Sequence, residues 1–225
     1  MSGTEIGTYE DIRGWLRVRL ADRKTSRSML EKTVWEPVDC GYALAAYLAL
    51  PEEVLGGGIA NVPRGLLEAS GVSGRRAMAD ALAGSVARDL PKLTTIENML
   101  FGDRSENLFV AGDLPEDGTL LVLTTEEGVL GASVLFYPNV QEQISRMTGG
   151  DYYVLPSSVH EVLIMPDTER YGPEELAAMV RAANEKEVSP EERLGNRVLR
   201  YRADLGRLQV AADMDRSPGR GRERG

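Results

Sequence analysis

The spacing of apolar residues near the amino terminus predicts a helix followed by a strand hairpin. Thr8 stands three residues before Asp11, and the apolar residues that follow recur every four positions, which predicts a capped amphipathic helix ending at about Ala21. The mainly apolar run at 34–53 fits either a buried strand or a helix, and we favour a strand. Three glycines at 56–58 then turn the chain, so that the next apolar residues return as a hairpin partner.

Two more helices are predicted before the apolar pattern is interrupted. Residues 73–90 place their apolar side chains on one helical face, and Pro91 ends this run. Thr94 and Glu97 form a second capping-box pattern, which opens a short helix. The stretch 103–118 that follows is polar and contains glycines and a proline, so we expect a linker or surface loop there.

The second half of the chain has a more regular pattern of strands and helices. Residues 120–125 and 132–138 are predicted to form a hairpin, and a helix at 139–148 follows and is ended by two glycines. The segment 150–166, GDYYVLPSSVHEVLIMP, contains two extended halves, and a helix begins near Pro173. Two short strands around residues 198–201 and 208–210 complete the pattern.

These elements predict an α+β fold in which antiparallel hairpins alternate with helices. We expect a carboxy-terminal unit of order ββαββαββ, with its helices packed on one face of the sheet. The predicted organisation is an amino-terminal α/β subdomain at 1–102, the linker or loop at 103–118, a carboxy-terminal α+β subdomain at 119–211 and a disordered tail at 212–225.

Composition narrows the classes of protein that fit this pattern. The chain has 225 residues, of which 42% are hydrophobic, so it can bury a core. The formal net charge of −9 argues against binding to nucleic acid or to an anionic membrane surface. The only cysteine, Cys40, cannot form an intrachain disulfide, which fits a reducing compartment, and we expect a cytoplasmic protein. One histidine leaves no set of residues typical of a zinc site, and no nucleotide-binding glycine motif is present, so no metal or cofactor is expected.

One short cluster contains the residue types that a hydrolase needs. Ser157, Ser158, His160 and Glu161 supply a nucleophile, a base and an acid within five positions. A regular strand at 159–165 would place Ser158 and His160 on one face and Glu161 on the other, so the glutamate could not orient the histidine. We therefore expect no catalytic residue here and interpret the serines as turn residues.

The same segment is also a candidate contact surface. Tyr152 and Tyr153 are adjacent, and adjacent strand residues face opposite ways, so one tyrosine can pack inside while the other lies at the surface. We consider Tyr153, together with the two serines, His160 and Glu161, as candidate binding residues for a protein partner.

The sequence LFYPNVQEQISRMTGGDYYVLPSSVHEVLIMP resembles a bacterial family known as domain of unknown function 5688. The similarity is carried by the Tyr137-Pro138 pair, the GGDYYVLPSS run, the His160-Glu161 pair and the helix that leads to an aromatic strand at Tyr201. It is strongest over 119–211. Members have an additional amino-terminal region and a longer charged segment, so the chain resembles a short or trimmed variant. The resemblance implies a bacterial, cytoplasmic protein and brings no known activity.

Three functions remain open at this point. The first is a non-enzymatic interaction or regulatory module with an exposed surface near Tyr153, Ser158 and His160, whose protein partner and oligomeric state the sequence does not identify. The second is a hydrolase or transferase that uses Ser158 and His160, which would need a pocket and a third residue from elsewhere. The third is an accessory protein of a mobile element or phage.

Overall fold

The computed structural model describes residues 7–54, 56–102, 106–112, 114, 119–156 and 158–215, and it confirms an α+β fold with two antiparallel sheets. The helices are α1 Tyr9–Arg13, α2 Arg27–Leu30, α3 Arg64–Ala69, α4 Gly74–Arg88, α5 Ile96–Phe101, α6 Leu108–Ala111, α7 Val140–Thr148 and α8 Pro173–Glu187. The strands are β1 Leu16–Asp22, β2 Trp35–Pro37, β3 Tyr42–Leu50, β4 Gly58–Asn61, β5 Pro91–Thr95, β6 Leu121–Thr125, β7 Tyr152–Leu155, β8 Val162–Pro166, β9 Arg197–Arg202 and β10 Arg207–Asp213.

The first sheet contains β1, β3, β2 and β4, with β3 in the centre. The run at 34–53 is extended as predicted, but it forms two strands, β2 and β3, that pair with each other around a 3₁₀ turn. The predicted return hairpin is confirmed, because β3 pairs with β4 across the glycine turn. The predicted helix to Ala21 is wrong beyond α1, since residues 16–22 form β1. Leu16 and Leu20 fit both structures, because a spacing of four residues is also a multiple of the two-residue strand period.

The second sheet has six strands in the order β10-β9-β7-β8-β6-β5. β5 and β6 pair along five residues, so a division of the chain at the predicted linker, 103–118, would cut through this sheet. Part of that stretch forms α6, whose Leu108 is buried in the core. The Asn107 side chain accepts the Leu93 N–H at 3.2 Å and donates to the Pro91 carbonyl at 2.9 Å, so it covers the outer edge of β5.

The predicted second strand of the hairpin at 120–138 is instead a 3₁₀ helix, Gly131–Phe136. β6 already pairs with β5 on one side and with β8 on the other, so no free edge remains for a hairpin partner. Gly131 allows the close approach, since a Cβ at this position would lie 2.5 Å from the Thr125 nitrogen and 2.7 Å from the His160 carbonyl oxygen. The carboxy-terminal unit therefore has the order βαββαββ, one strand fewer at its start than the predicted ββαββαββ.

Helices cover both faces of the second sheet. Tyr152 packs on the face that carries α7, and its hydroxyl donates to the Gln141 carbonyl at 3.1 Å. Tyr153 points the other way and packs with Leu176 and Val180 of α8. The prediction that the helices lie on one face is therefore wrong for this pair of helices, because the strands carry large apolar side chains on both faces.

The remaining predicted elements are found with small changes of boundary. The helices at 73–90 and 139–148, the helix from Pro173 and the two carboxy-terminal strands are all present. The predicted cap at Thr94 shifts by one residue, since Thr94 lies within β5 and the side chain of Thr95, its last residue, accepts the Asn98 N–H at 3.0 Å. β10 extends to Asp213, beyond the predicted start of the tail at 212, and residues 216–225 lie outside the described chain. No helix in the described ranges has the length and apolarity needed to cross a membrane.

Candidate functional site

The cluster predicted at Ser157 to Glu161 lies in the connection between β7 and β8. β8 begins only at Val162, so the argument from alternating strand faces does not apply to His160 and Glu161. Ser157 lies outside the described residues. The other three residues come together in one turn, and the chemistry of each can be assigned from its hydrogen bonds.

The Ser158 hydroxyl is committed to the turn that contains it. Its Oγ donates to Oε1 of Glu161 at 2.6 Å and accepts the backbone N–H of His160 at 3.1 Å. The residue is only 4% exposed, and it forms an isolated β-bridge with Arg193. A serine nucleophile needs a base that removes its proton, and here the hydrogen bond joins the hydroxyl to a carboxylate and not to the imidazole. Ser158 therefore holds the turn.

The His160 imidazole is engaged at both of its ring nitrogens. Nδ1 accepts the Leu130 N–H at 3.3 Å, which leaves the ring proton on Nε2, and Nε2 then donates to Oε1 of Glu192 at 3.3 Å. Hydrogen bonds from Ser189 and then from His160 lower the pKa of Glu192. The imidazole is 31% exposed and therefore lies at the surface. Because the Leu130 backbone and the Glu192 carboxylate occupy its two nitrogens, neither nitrogen is free to act as a general base.

Tyr153 is not a surface residue. It is 6% exposed and packs between the second sheet and α8, with the Arg200 guanidinium 5.8 Å from its ring centroid. The prediction that one of the two adjacent tyrosines lies at the surface is wrong, because each sheet face is covered by its own helix. Of the predicted contact residues, Tyr153 and Ser158 are therefore buried, and His160 is partly exposed.

His160 and Glu192 line a cleft of about 690 Å³ whose opposite wall is formed by β1 and β4. Two more clefts adjoin it. We call the cleft at His160 the middle cleft. The largest cleft, of about 1000 Å³, shares Thr25, Pro190 and Arg193 with it, and the smallest, of about 410 Å³, shares Ile59 with it.

The three clefts follow β1 along its length. Asp22, at the carboxyl end of β1, lines the largest cleft, Arg19 lines the middle one and Arg17 lines the smallest. We call the three together the β1 groove. Because the connection from β7 to β8 and the segment 188–197 form the wall opposite β1, the candidate site joins residues from both halves of the chain.

The β1 groove is lined by charged side chains of both signs. Five cationic residues that line its largest and middle clefts make no ion pair within 4 Å among the described residues: Arg19, Arg23, Lys24, Lys32 and Arg193. Several acids of the groove are already bound within the protein, since Asp22 pairs with Arg197 and Glu31 pairs with Arg27. The three clefts together are lined by nine basic and nine acidic residues, so the groove is formally neutral on a chain of net charge −9.

Arg19 carries a buried polar atom without a partner among the described residues. Its Nη2 donates to the Asn61 amide oxygen at 3.4 Å, but its Nε is buried and has no hydrogen-bond partner in the described structure. Burial lowers the pKa of this guanidinium. A carboxylate that entered the middle cleft would give Arg19 a charged partner.

Sequence reasoning did not find Glu192 or Arg193, which lie about thirty residues beyond the predicted cluster. The pattern Ser189 to Glu192 resembles a capping box, and the Ser189 hydroxyl does donate to Glu192 at 2.7 Å. That pattern predicts a helix start, here the 3₁₀ helix Pro190–Glu192, but not its contact with His160. Among the described residues, no group of three or more His, Cys, Asp or Glu side chains could hold a metal ion.

Comparison with known proteins gives a family without an assigned activity. The family model described as "Family of unknown function (DUF5688)" matches residues 1–203. No curated protein matches the chain. No solved structure matches it.

Proposed function

The chain belongs to the DUF5688 family of unknown function, and we propose that it is a non-enzymatic interaction module that binds a protein partner in the β1 groove. We place this module in the bacterial cytoplasm. The single cysteine fits a reducing compartment, and the resemblance described above is to bacterial proteins.

One observation carries this proposal. The reactive groups of the cluster are used to build the wall of the groove, since the Ser158 hydroxyl is bound to Glu161 and both nitrogens of His160 are hydrogen-bonded. The wall that they build faces an open cleft with available cations. Polar side chains that are used in internal hydrogen bonds, beside charged side chains that line an open cleft, fit a binding surface better than an active site.

Crosslinking inside the host cell tests the binding site. A photoreactive amino acid at position 193, in the groove, should capture a defined protein, whereas the same amino acid at position 75 should not. Arg75 is exposed on α4 and lines none of the three clefts. Identical products from both positions, or no product from position 193, would refute the proposed binding site.

A turnover assay tests the alternative, a hydrolase or transferase that uses Ser158 and His160. We expect the protein and its Ser158→Ala variant to be equally inactive towards generic ester and phosphate substrates, because the hydroxyl is held by the Glu161 carboxylate and makes no hydrogen bond to the His160 imidazole. Turnover that disappears in the Ser158→Ala variant would establish an enzyme and remove the proposed function.

A further inference from the structure

The single histidine of the chain connects two distant segments at the middle cleft, and its two ring nitrogens have opposite roles. Nδ1 accepts the Leu130 N–H and Nε2 donates to the Glu192 carboxylate, each at 3.3 Å. We propose that His160 is a pH-sensitive switch: when its imidazole takes up a proton, the hydrogen bond to Leu130 breaks and the turn at 126–130 is released. The switch is a property of the chain alone and goes beyond the proposed function.

Protonation changes the role of Nδ1 and leaves that of Nε2 unchanged. A neutral imidazole has one nitrogen that donates and one that accepts, whereas both nitrogens of the protonated ring donate. The proton comes from water and binds the lone pair of Nδ1, so that the new N–H of His160 and the Leu130 N–H point at each other. Nε2 keeps its proton, and its hydrogen bond to the Glu192 carboxylate becomes a charged one, which is stronger. The ring therefore stays in place while Leu130 loses its acceptor.

Leu130 has a backbone conformation that needs support. Its φ of 50° and ψ of 26° lie in the left-handed region, which residues other than glycine rarely adopt. The residue is only 7% exposed, so an N–H that loses its acceptor here is poorly compensated by water. Loss of the bond to Nδ1 therefore favours a different conformation of Leu130.

The structure on either side of this hydrogen bond does not depend on the imidazole. The Ala132 N–H donates to the Val159 carbonyl at 3.2 Å, and the Thr124 hydroxyl donates to the His160 carbonyl at 2.8 Å. These bonds anchor the 3₁₀ helix at 131–136 and the backbone of the histidine at any pH. The part that protonation releases is the turn that precedes Leu130, which carries Val129, 51% exposed.

The groups around the imidazole keep their charge where a histidine titrates. Histidine side chains ordinarily change charge between about pH 5 and 8, and carboxylates, lysines and arginines ordinarily do not. Hydrogen bonds from Ser189 and then from His160 lower the pKa of Glu192, so this partner stays ionised. The Glu161 carboxylate, next in the chain, is held by the Ser158 hydroxyl. The charged residues that line the middle cleft with His160 are Arg19, Lys32, Glu191, Glu192 and Arg193.

The released turn forms part of two clefts. Leu130 lines the middle cleft and Val129 lines the smallest one, so a change at this turn alters the walls of both. The imidazole is 31% exposed, so a proton can reach it from solvent without prior opening of the structure. A partner bound in the β1 groove would then bind differently at pH 5 and at pH 8, and this consequence alone rests on the proposed function.

Amide hydrogen exchange of the full chain, followed by NMR at pH 8 and pH 5, tests the switch. After correction for the intrinsic effect of pH on exchange, we expect the protection of the Leu130 amide to fall at least about fivefold at pH 5. The Ala132 amide is the internal control, because its acceptor is a backbone carbonyl, and its protection should change less than about twofold. Nitrogen chemical shifts of the ring should show the proton on Nε2 at pH 8.

Three variants identify the nitrogen that is responsible. His160→Asn places an amide oxygen near the position of Nδ1, so Leu130 should keep its protection at both pH values. His160→Phe keeps a ring without an acceptor, so protection should be low at both. Glu192→Gln removes the charge beside Nε2 and leaves Nδ1 in place, so the loss of protection at pH 5 should persist.

The switch is overturned if the protection of Leu130 is the same at pH 8 and pH 5, if Ala132 loses as much, or if the ring proton lies on Nδ1 at pH 8. A pH dependence that disappears in Glu192→Gln would also overturn it. None of these results bears on the crosslinking experiment, since a defined protein captured at position 193 would support the interaction module with or without the switch.

Discussion

Gly84 lies within α4 at the point where this helix packs against β1, and we predict that Gly84→Ala destabilises the protein. A Cβ at this position would lie 2.5 Å from the Leu16 carbonyl oxygen and 3.2 Å from Nη1 of Arg17. The strand cannot easily move away, because Leu16 pairs with Leu48 of β3 and the Val18 N–H donates to the α4 residue Ser85 at 2.9 Å.

The magnitude follows from two opposing effects. Alanine is favoured over glycine in a helix interior by about 1 kcal/mol. An extra methyl group in a closely packed core typically costs about 1–3 kcal/mol, and here the first obstacle is a backbone atom. Because a backbone atom cannot turn aside as a side chain can, we take the upper part of that range, about 2–3 kcal/mol, and expect a net loss of about 1–2 kcal/mol in the free energy of unfolding, measured by urea denaturation.

Gly65 provides the matched control, since it lies in α3 and a Cβ there would meet no atom within 4 Å. Gly65→Ala should stabilise the protein by up to about 1 kcal/mol through helix propensity and reduced freedom of the unfolded chain. The reasoning about α4 would be refuted if Gly84→Ala were as stable as the unaltered protein, or more stable.

Three further predictions concern a carboxylate, a thiol and a strand edge. Burial alone would raise the pKa of Asp80, but hydrogen bonds from a neighbouring guanidinium and from Tyr9 lower it, so its stabilisation is present at neutral pH and lost in acid below the ordinary carboxyl pKa. Asp80→Asn should therefore cost about 1–3 kcal/mol at pH 7, and the cost in urea unfolding should shrink progressively as the pH falls below the ordinary carboxyl pKa of 3.8; a cost that does not change with pH would contradict this. Burial, and then the Asp39 carboxylate, raises the pKa of Cys40 to about 12. At pH 8 its thiolate fraction should be roughly a thousandfold below that of an ordinary cysteine, so iodoacetamide should react far faster in urea than in the native protein, and equal rates would refute it. Asn107→Ala should cost about 1–3 kcal/mol and speed amide exchange in β5, whereas unchanged exchange would show that the edge is protected otherwise.

The parts of the fold that could be predicted from sequence are those whose pattern fits one period. The helix from Pro173 has a proline at its first turn and apolar residues three and four apart, and it was found with its start intact. The helix predicted at 16–22 is wrong because the four-residue spacing of its apolar residues fits a helix and a strand equally well. Only pairing with β3 decides between the two structures. The stretch at 131–136 was assigned wrongly because its partner edge on β6 is occupied by β8, which lies further along the chain.

The candidate site was predicted in part for the same physical reason. His160 could be chosen from sequence as the only histidine in an unusual turn, but the roles of its nitrogens depend on Leu130 and Glu192, which are 30 residues before it and 32 residues after it. Alternation in a strand predicts a surface position for Tyr153 because it separates two faces without saying whether each is covered. Burial is a property of the assembled sheet, and α8 determines it here.

The distribution of charge connects the fold to the proposed function. The chain contains 35 acidic residues, enough to pair with every one of its 26 lysines and arginines, yet five cations that line the β1 groove have no acidic partner within 4 Å among the described residues. Elsewhere in the described structure, ion pairs are formed readily, as between Arg76 and Asp80 along one helix and between Arg200 and Asp167 across a sheet. Acidic residues line the same clefts in equal number, nine against nine, so the groove holds charges of both signs side by side. A partner in the groove would meet both signs of charge, so its side chains are selected by the positions at which they pair and not by an overall attraction. Because such a partner binds the folded chain, occupation of the β1 groove should also stabilise the fold.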